Sequence, residues 1–475
     1  MATIKKQALV IGAGTGGYPC AIRLGQLGVD TMLVEKDKPG GVCLNWGCIP
    51  SKALISASKL YHKAQHSASM GVTFGEAKVD MVQMQEWKGG IVKRLTTGVA
   101  GLVKTNGAEF VKGTATILGP KRVQIDYADG KPSDIVEAEH IVVATGSVPI
   151  AIPGFEIDQK RIVDSTGALD LAEVPKKMIC IGGGIIGLEL GQTFQRLGTE
   201  LVVLEGTDRI LGPCDADVAK VVHKQIVKDG GKIHVNAMAK GWTEKDGRAV
   251  VTVEINDKKG KRTEEIDADV VLVAVGRRPV AKGFGLETTG VKINDRGFIE
   301  VDAQKKTNVA GIYAVGDVVG QPMLAHKASH EGEVLAEVIA GHNAIDDART
   351  VPNVVFTEPE IASAGMGEEE AKSAGYDIEI GKFPFSASGR AMAIDETQGF
   401  VKVITDKKDN RVLGIHIVGP EASDLISEGS LAIEMGAFAE DLSLTIHPHP
   451  TLGEAVMEAA KHALGEAIHI PNRKR

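Results

Sequence analysis

An α/β fold built on two copies of one strand–turn–helix–strand unit is what this sequence predicts. Three observations point there: an internal repeat, glycines at fixed spacing inside it, and an ordinary folded composition. The 475 residues leave room for two to four domains. With 43% hydrophobic and 24% charged residues, the chain is composed like a packed globular protein. Net charge is -8 with both signs interspersed, and there are only 5 Tyr and 3 Trp. No long basic run or stacking platform argues for nucleic acid as a partner. No apolar stretch approaches the roughly 20 residues of a membrane span. The N-terminus, MATIKKQALVIGAG, enters a strand almost at once, without the pattern of a secretory or transit leader. The expected location is the cytoplasm or, after removal of a leader, the mitochondrial matrix.

The repeat is ALVIGAGTGGYPCAIRLGQLGVDTMLVEK followed later by MICIGGGIIGLELGQTFQRLGTELVVLEG. Gly12, Gly14 and Gly17 correspond to Gly182, Gly184 and Gly187, and Glu35 corresponds to Glu205. In such a unit the first glycine permits a tight turn after the strand. The second lets a pyrophosphate approach the backbone, and the third lets helix and strand pack closely. Phosphates then meet unpaired N–H groups at the helix start. The acid at the end of the next strand accepts from ribose hydroxyls. Two Rossmann-like dinucleotide-binding domains are therefore expected, and two dinucleotides in one chain suggest electron transfer between them. Glu205 would repel a 2′-phosphate, so the second site is expected to prefer NAD over NADP, although Arg209 follows in the next loop.

Chemistry beyond binding centres on GGVCLNWGCIPSK, residues 40–52. Cys43 and Cys48 could be metal ligands, a redox pair or inert core thiols. A structural zinc site needs four ligands, and no second Cys or His pair is present, so no metal is expected. Residues five apart in a regular helix are too distant for a disulfide. A bond would require an irregular turn, and Gly47 and Pro50 make one plausible. Cys20, Cys180 and Cys214 read as packing thiols.

The segment GGVCLNWGCIPSKAL resembles the redox-active disulfide segment of the flavoprotein disulfide reductases, and the resemblance runs the length of the chain. It continues through VVATGSVP (142–149), VAVGRRP (273–279), IYAVGDV (312–318), PMLAHKA (322–328), FTEPEIASAG (356–365) and HPHPTLGE (447–454). It implies FAD in the first dinucleotide fold and a nicotinamide nucleotide in the second. It implies a Cys43–Cys48 disulfide, with Cys43 exchanging with substrate and Cys48 lying against the flavin. Thr145, Gly146, Asp317 and Ala325 would complete the FAD site, Asp317 on the ribityl chain, and Gly276 the NAD side. Lys52 and Glu189 would pair near the flavin ring. His449 and Glu454 would form the acid–base dyad for thiol exchange, reaching the cysteines from the other subunit of a homodimer. Histidine suits that role because it exchanges protons near neutral pH. His447 has no implied chemical role.

Within the family, mercuric and large thioredoxin reductases carry C-terminal thiols, and no cysteine follows Cys214 here. Soluble transhydrogenases lack the cysteine pair. Glutathione reductases favour NADP, against Glu205. The branch left oxidises a protein-bound dihydrolipoyl group with NAD+. Its partners would be the lipoyl domains and core subunits of a 2-oxo acid dehydrogenase complex, since no lipoyl domain precedes the first strand. Two alternatives are an NADPH-dependent small-disulfide reductase and a non-catalytic FAD- and NAD-carrying assembly subunit. The expected division is an FAD domain (1–148), an NAD domain (149–275), a central domain completing the FAD site (276–347) and a C-terminal α+β dimerisation domain (348–475).

Overall fold

The computed structural model describes residues 2–257 and 260–472. The chain divides into two compact units. One comprises residues 1–54, 82–150 and 276–347; the other comprises 55–81, 151–275 and 348–475.

The first unit is organised by a sheet whose parallel strands run Glu109–Gly119, Thr31–Glu35, Thr3–Ile11, Asp134–Val143, Ile312–Ala314. Strand Arg122–Tyr127 pairs antiparallel with both 109–119 and 134–143. The central strands are continuous apolar runs because both faces are covered; Ala8, Leu9 and Val10 are fully buried. Helix Gly17–Gln26 lays Cys20, Ala21 and Leu24 on the sheet. Pro19 is its third residue, in the first turn, where no intrahelical donor is lost. Helix Ala325–Ile339 packs beside it.

The second unit contains the other repeat. Its parallel strands run Lys232–His234, Glu200–Leu204, Lys177–Ile181, Val270–Val273, Ile162–Val163. Relative to the repeated strands this is the same order as in the first unit. An antiparallel meander, Ala237–Lys245, Arg248–Asp257, Gly260–Ala268, lies alongside. The C-terminal part is a five-stranded antiparallel sheet covered by helices Ala422–Met435 and Glu454–Leu464, the expected α+β arrangement. Lys402, whose side chain is fully buried, ties this sheet to helix Ala216–Lys228 and its N-cap. Its ammonium meets Asp215 at 2.6 Å, Asp217 at 2.9 Å and Glu368 at 2.7 Å. Burial opposes ionisation of Asp215 and Asp217, but bonds to Lys402 (and, for Asp217, first to Lys382) hold both carboxyls below their ordinary range. Among the described residues, no helix is long and apolar enough to cross a membrane.

Candidate functional site

In the first glycine turn, Gly12 has φ +101°, and a Cβ there would lie 2.4 Å from the Ala144 carbonyl oxygen. A Cβ on Gly17 would lie 1.8 Å from the Gly12 oxygen. Gly14, by contrast, faces open space within 4 Å. The outer glycines are thus required by packing, and the middle one leaves a backbone surface that a phosphate can approach. Glu35 closes the turn: Oε2 accepts from Ala13 N–H at 2.7 Å and Oε1 from Asp37 N–H at 2.8 Å. The second turn repeats this. Gly182 has φ +106° against the Ala274 carbonyl, Gly187 packs on Gly182, and Gly184 is open. Glu205 accepts from Gly183 N–H and Thr207 N–H, each at 2.7 Å. Both turns therefore fit a dinucleotide. Arg209 donates to its own loop, at Gly212 O, 2.8 Å away.

The cysteines follow directly from the first turn. Gly40 N–H donates to Ala13 O at 2.8 Å, and a Cβ on Gly41 would lie 2.6 Å from Gly14 Cα. Short helix Gly41–Trp46 carries Cys43. Gly47, with φ -141° and ψ -113°, leaves helical geometry, and Cys48 opens a new 19-residue helix, Cys48–His66. A Cβ on Gly47 would crowd the Val42 oxygen at 3.0 Å. This break is the irregular turn that the five-residue spacing demands. Cys43 and Cys48 stand side by side across it as free thiols. The contact with Cys48, then burial, pushes the Cys43 thiol well up, while the nearby Lys52 charge pulls the other way. Cys20 and Cys180 are buried, their thiols pushed up to about 12 by burial, as packing residues should be.

Other residues expected around the FAD also meet in this unit. Thr145 Oγ1 donates to Val280 O at 2.6 Å, and Gly146 O accepts from Val280 N–H at 3.0 Å. Asp317 accepts from the Ser147 hydroxyl, and Ser147 Oγ in turn accepts from Arg277 Nε at 2.8 Å. Ser147 and Arg277 lie inside the quoted motifs but carry no role in the sequence reading; neither has a spacing signal of its own. Ala325 is the first residue of its helix. Gly276, read from sequence with the NAD set, falls in this first unit. Glu189, 6% exposed on helix Ile185–Arg196, accepts from Phe356 N–H at 2.9 Å in the second unit.

The His449–Glu454 pair is formed within the second unit. His449 Nδ1 lies 2.8 Å from Glu454 Oε1, and Glu454 Oε2 accepts from Thr451 N–H at 2.9 Å. The His449 side chain is 79% exposed, so Nε2 is left to meet a reactant. Burial opposes ionisation of Glu454, but the Thr451 N–H and the His449 contact outweigh it and hold the carboxyl below its ordinary range. His447 is held differently, with Nε2 2.7 Å from Glu428 Oε1 and Nδ1 2.9 Å from Thr445 O.

Two dinucleotide cradles, with a dithiol hinged onto one of them, define an oxidoreductase that moves electrons between thiols and a nicotinamide. Residues 6–332 match the pyridine nucleotide-disulphide oxidoreductase family and residues 351–460 its dimerisation domain. The chain belongs to this family, and it is an FAD- and NAD-dependent oxidoreductase. It is 49% identical over 467 residues to the dihydrolipoyl dehydrogenase of Geobacillus stearothermophilus, covering 98% of each chain. It is 50% identical over 468 residues to that of Bacillus subtilis, again covering 98% of each. Among solved structures, LpdA of Mycobacterium tuberculosis matches with a TM-score of 0.87 at 26% identity, over 96% of this chain and 99% of that one. The HOCl-induced flavoprotein disulfide reductase RclA of Escherichia coli matches with a TM-score of 0.82 at 26% identity, over 95% and 98%.

Proposed function

We propose that this protein is a dihydrolipoyl dehydrogenase: a protein-bound dihydrolipoyl dithiol and NAD+ become the cyclic disulfide, NADH and a proton. The observation that carries the reading is the Cys43–Cys48 thiol contact across the Gly47 break, in a segment bonded to the first glycine turn. The near-full-length identity to dihydrolipoyl dehydrogenases supports it.

The cycle starts from the oxidised pair: a substrate thiolate attacks Cys43 Sγ of the Cys43–Cys48 disulfide, forming the mixed disulfide and releasing Cys48 as the thiolate. The substrate's second thiolate then attacks the mixed disulfide, releasing the lipoyl disulfide and leaving Cys43 and Cys48 as the dithiol. His449 Nε2 accepts the substrate thiol proton, and Glu454 keeps Nδ1 protonated and the ring oriented. FAD, when bound, supplies the two-electron relay from the dithiol to the nicotinamide. Gly12, Gly14, Gly17, Glu35, Thr145, Gly146, Asp317 and Ala325 would hold it. Gly182, Gly184, Gly187, Glu205 and Gly276 would hold NAD, and Lys52 and Glu189 would be the charges that serve the flavin. The segments 1–148 and 276–347 then serve FAD, 149–275 serves NAD, and 348–475 forms the dimer surface.

We also propose a homodimer in which His449 serves the partner's cysteines, with lipoyl domains of a 2-oxo acid dehydrogenase complex as the substrate arm. The compartment proposed is the cytoplasm, where structural thiols stay reduced. The test is NADH formation from free dihydrolipoamide and NAD+, beside NADPH oxidation by glutathione disulfide. Rapid turnover in the first and none in the second is expected. The reverse would move the protein to the NADPH-dependent disulfide reductases.

A further inference from the structure

Helix Ala325–Ile339 touches both ends of the first cradle. On one side it is docked on the glycine turn: Ser329 Oγ donates to Thr15 O at 2.9 Å, and a Cβ on Gly332 would lie 2.4 Å from Gly16 O. On the other side Glu331, 1% exposed, reaches the turn that carries Asp317. Its Oε2 accepts from Gly316 N–H at 2.7 Å. Its Oε1 meets Lys305 Nζ at 3.0 Å and Lys327 Nζ at 2.8 Å. Lys305 is itself buried and also pairs with Asp346 at 2.5 Å.

A buried carboxylate with two ammonium partners adds little net stability over well-packed apolar side chains. What an apolar side chain cannot do is accept from Gly316. That residue sits at φ +83°, one step before Asp317, so its N–H direction sets where the Asp317 carboxylate stands. The two ammonium groups on Oε1 hold the Glu331 carboxylate so that Oε2 faces the turn. We propose that Glu331 is a positioning residue for FAD, fixing the Gly316–Asp317 turn relative to the Gly12–Gly17 turn through a single helix. This rests on Asp317 holding the FAD ribityl chain, as proposed above.

Three full-length variants test it. Glu331→Asp keeps the charge but, one methylene shorter, withdraws the acceptor from Gly316. Lys305→Met with Glu331→Gln removes the charge pair and keeps an acceptor. Lys305→Met with Glu331→Leu removes both. For each holoenzyme, three quantities are measured: the rate of FAD release (from flavin fluorescence), the visible circular dichroism of bound flavin, and the far-ultraviolet melting midpoint. A merely stabilising role would shift the midpoint and leave the first two alone. The Gln double variant is expected to release FAD at the wild-type rate within about threefold. The Asp and Leu variants are expected to release it about tenfold faster or more, with altered flavin dichroism, because a buried N–H has lost its acceptor. If the Leu variant does not fold, Glu331→Asp against the Gln double variant decides. Wild-type release rates and dichroism in Glu331→Asp would overturn the inference alone. Wild-type protein that binds no FAD would overturn the functional reading, and this inference with it.

Discussion

The two repeat copies are alike through the acid that closes each turn and differ just beyond it. After Glu35 the chain runs four residues to Gly40, whose N–H donates to Ala13 O at 2.8 Å. After Glu205 it runs one residue longer, to Leu211, whose N–H donates to Gly183 O at 2.9 Å. Gly40 and Leu211 both have positive φ, +89° and +51°. Three residues past each comes a cysteine, Cys43 and Cys214. From there the copies part. Cys43 enters a six-residue helix that stops at Gly47, and the break sets Cys48 against it. Cys214 is buried, its thiol pushed up to about 11 by burial and then by Asp215, and the chain continues into the carboxylates that enclose Lys402. One glycine-turn frame thus leads into a close cysteine pair in one copy and an ionic clamp in the other. The helix break, not the glycine turn alone, is what brings a second cysteine beside the first.

If that distinction holds, Cys48→Ser retains flavin absorbance and loses turnover with dihydrolipoamide altogether; measurable steady-state turnover per flavin would remove the pair from the mechanism. The next largest effect is expected on the proton. His449→Gln slows turnover by about 10²–10⁴-fold, the usual worth of general acid–base catalysis, with an unchanged flavin spectrum. The dyad should also resist acid. The Glu454 carboxyl lies below its ordinary range, so its contact with His449 is present above that range and is lost only as pH falls through the depressed value. A pH–rate profile of wild type against Glu454→Gln checks this, the two differing throughout neutral and mildly acidic pH.

The second copy's exit is tested by Lys402→Met, which leaves three carboxylates around an apolar chain. A loss of about 3–5 kcal/mol in a denaturant titration is expected, with the Cys43–Cys48 chemistry intact in the protein that stays folded. A smaller effect is expected at the acid itself. Glu205→Ser should shift the NAD+ to NADP+ preference by about tenfold, the worth of a charged hydrogen bond to ribose. An unmoved ratio of kcat/KM values would place ribose recognition elsewhere. Smallest of all, Cys214→Ser should leave turnover per flavin within about twofold, as a buried packing thiol allows.

Much of this was legible in the residues. The repeat, its glycines and its two acids depend on local backbone geometry, where only glycine fits beside a carbonyl at 2.4 Å or 2.5 Å. Such requirements appear directly as residue type and spacing. The cysteine pair was visible as a pair, and Gly47 as the place where a helix could break. The His449–Glu454 contact spans only five residues, so it too was within reach. Contacts closed by the tertiary fold left no such trace. Ser147 meets Asp317 across 170 positions, Arg277 meets Ser147 across 130, and Lys402 meets Asp215 across 187. Glu331 had no role in the motifs, and only the fold buries it under Gly316. The sequence alone determined the two nucleotide cradles and named the candidate residues for the chemistry, because steric limits and side-chain type act locally. Only the tertiary structure decided which charges are buried and paired and what holds each turn in place, because those depend on what distant segments bring to the same point.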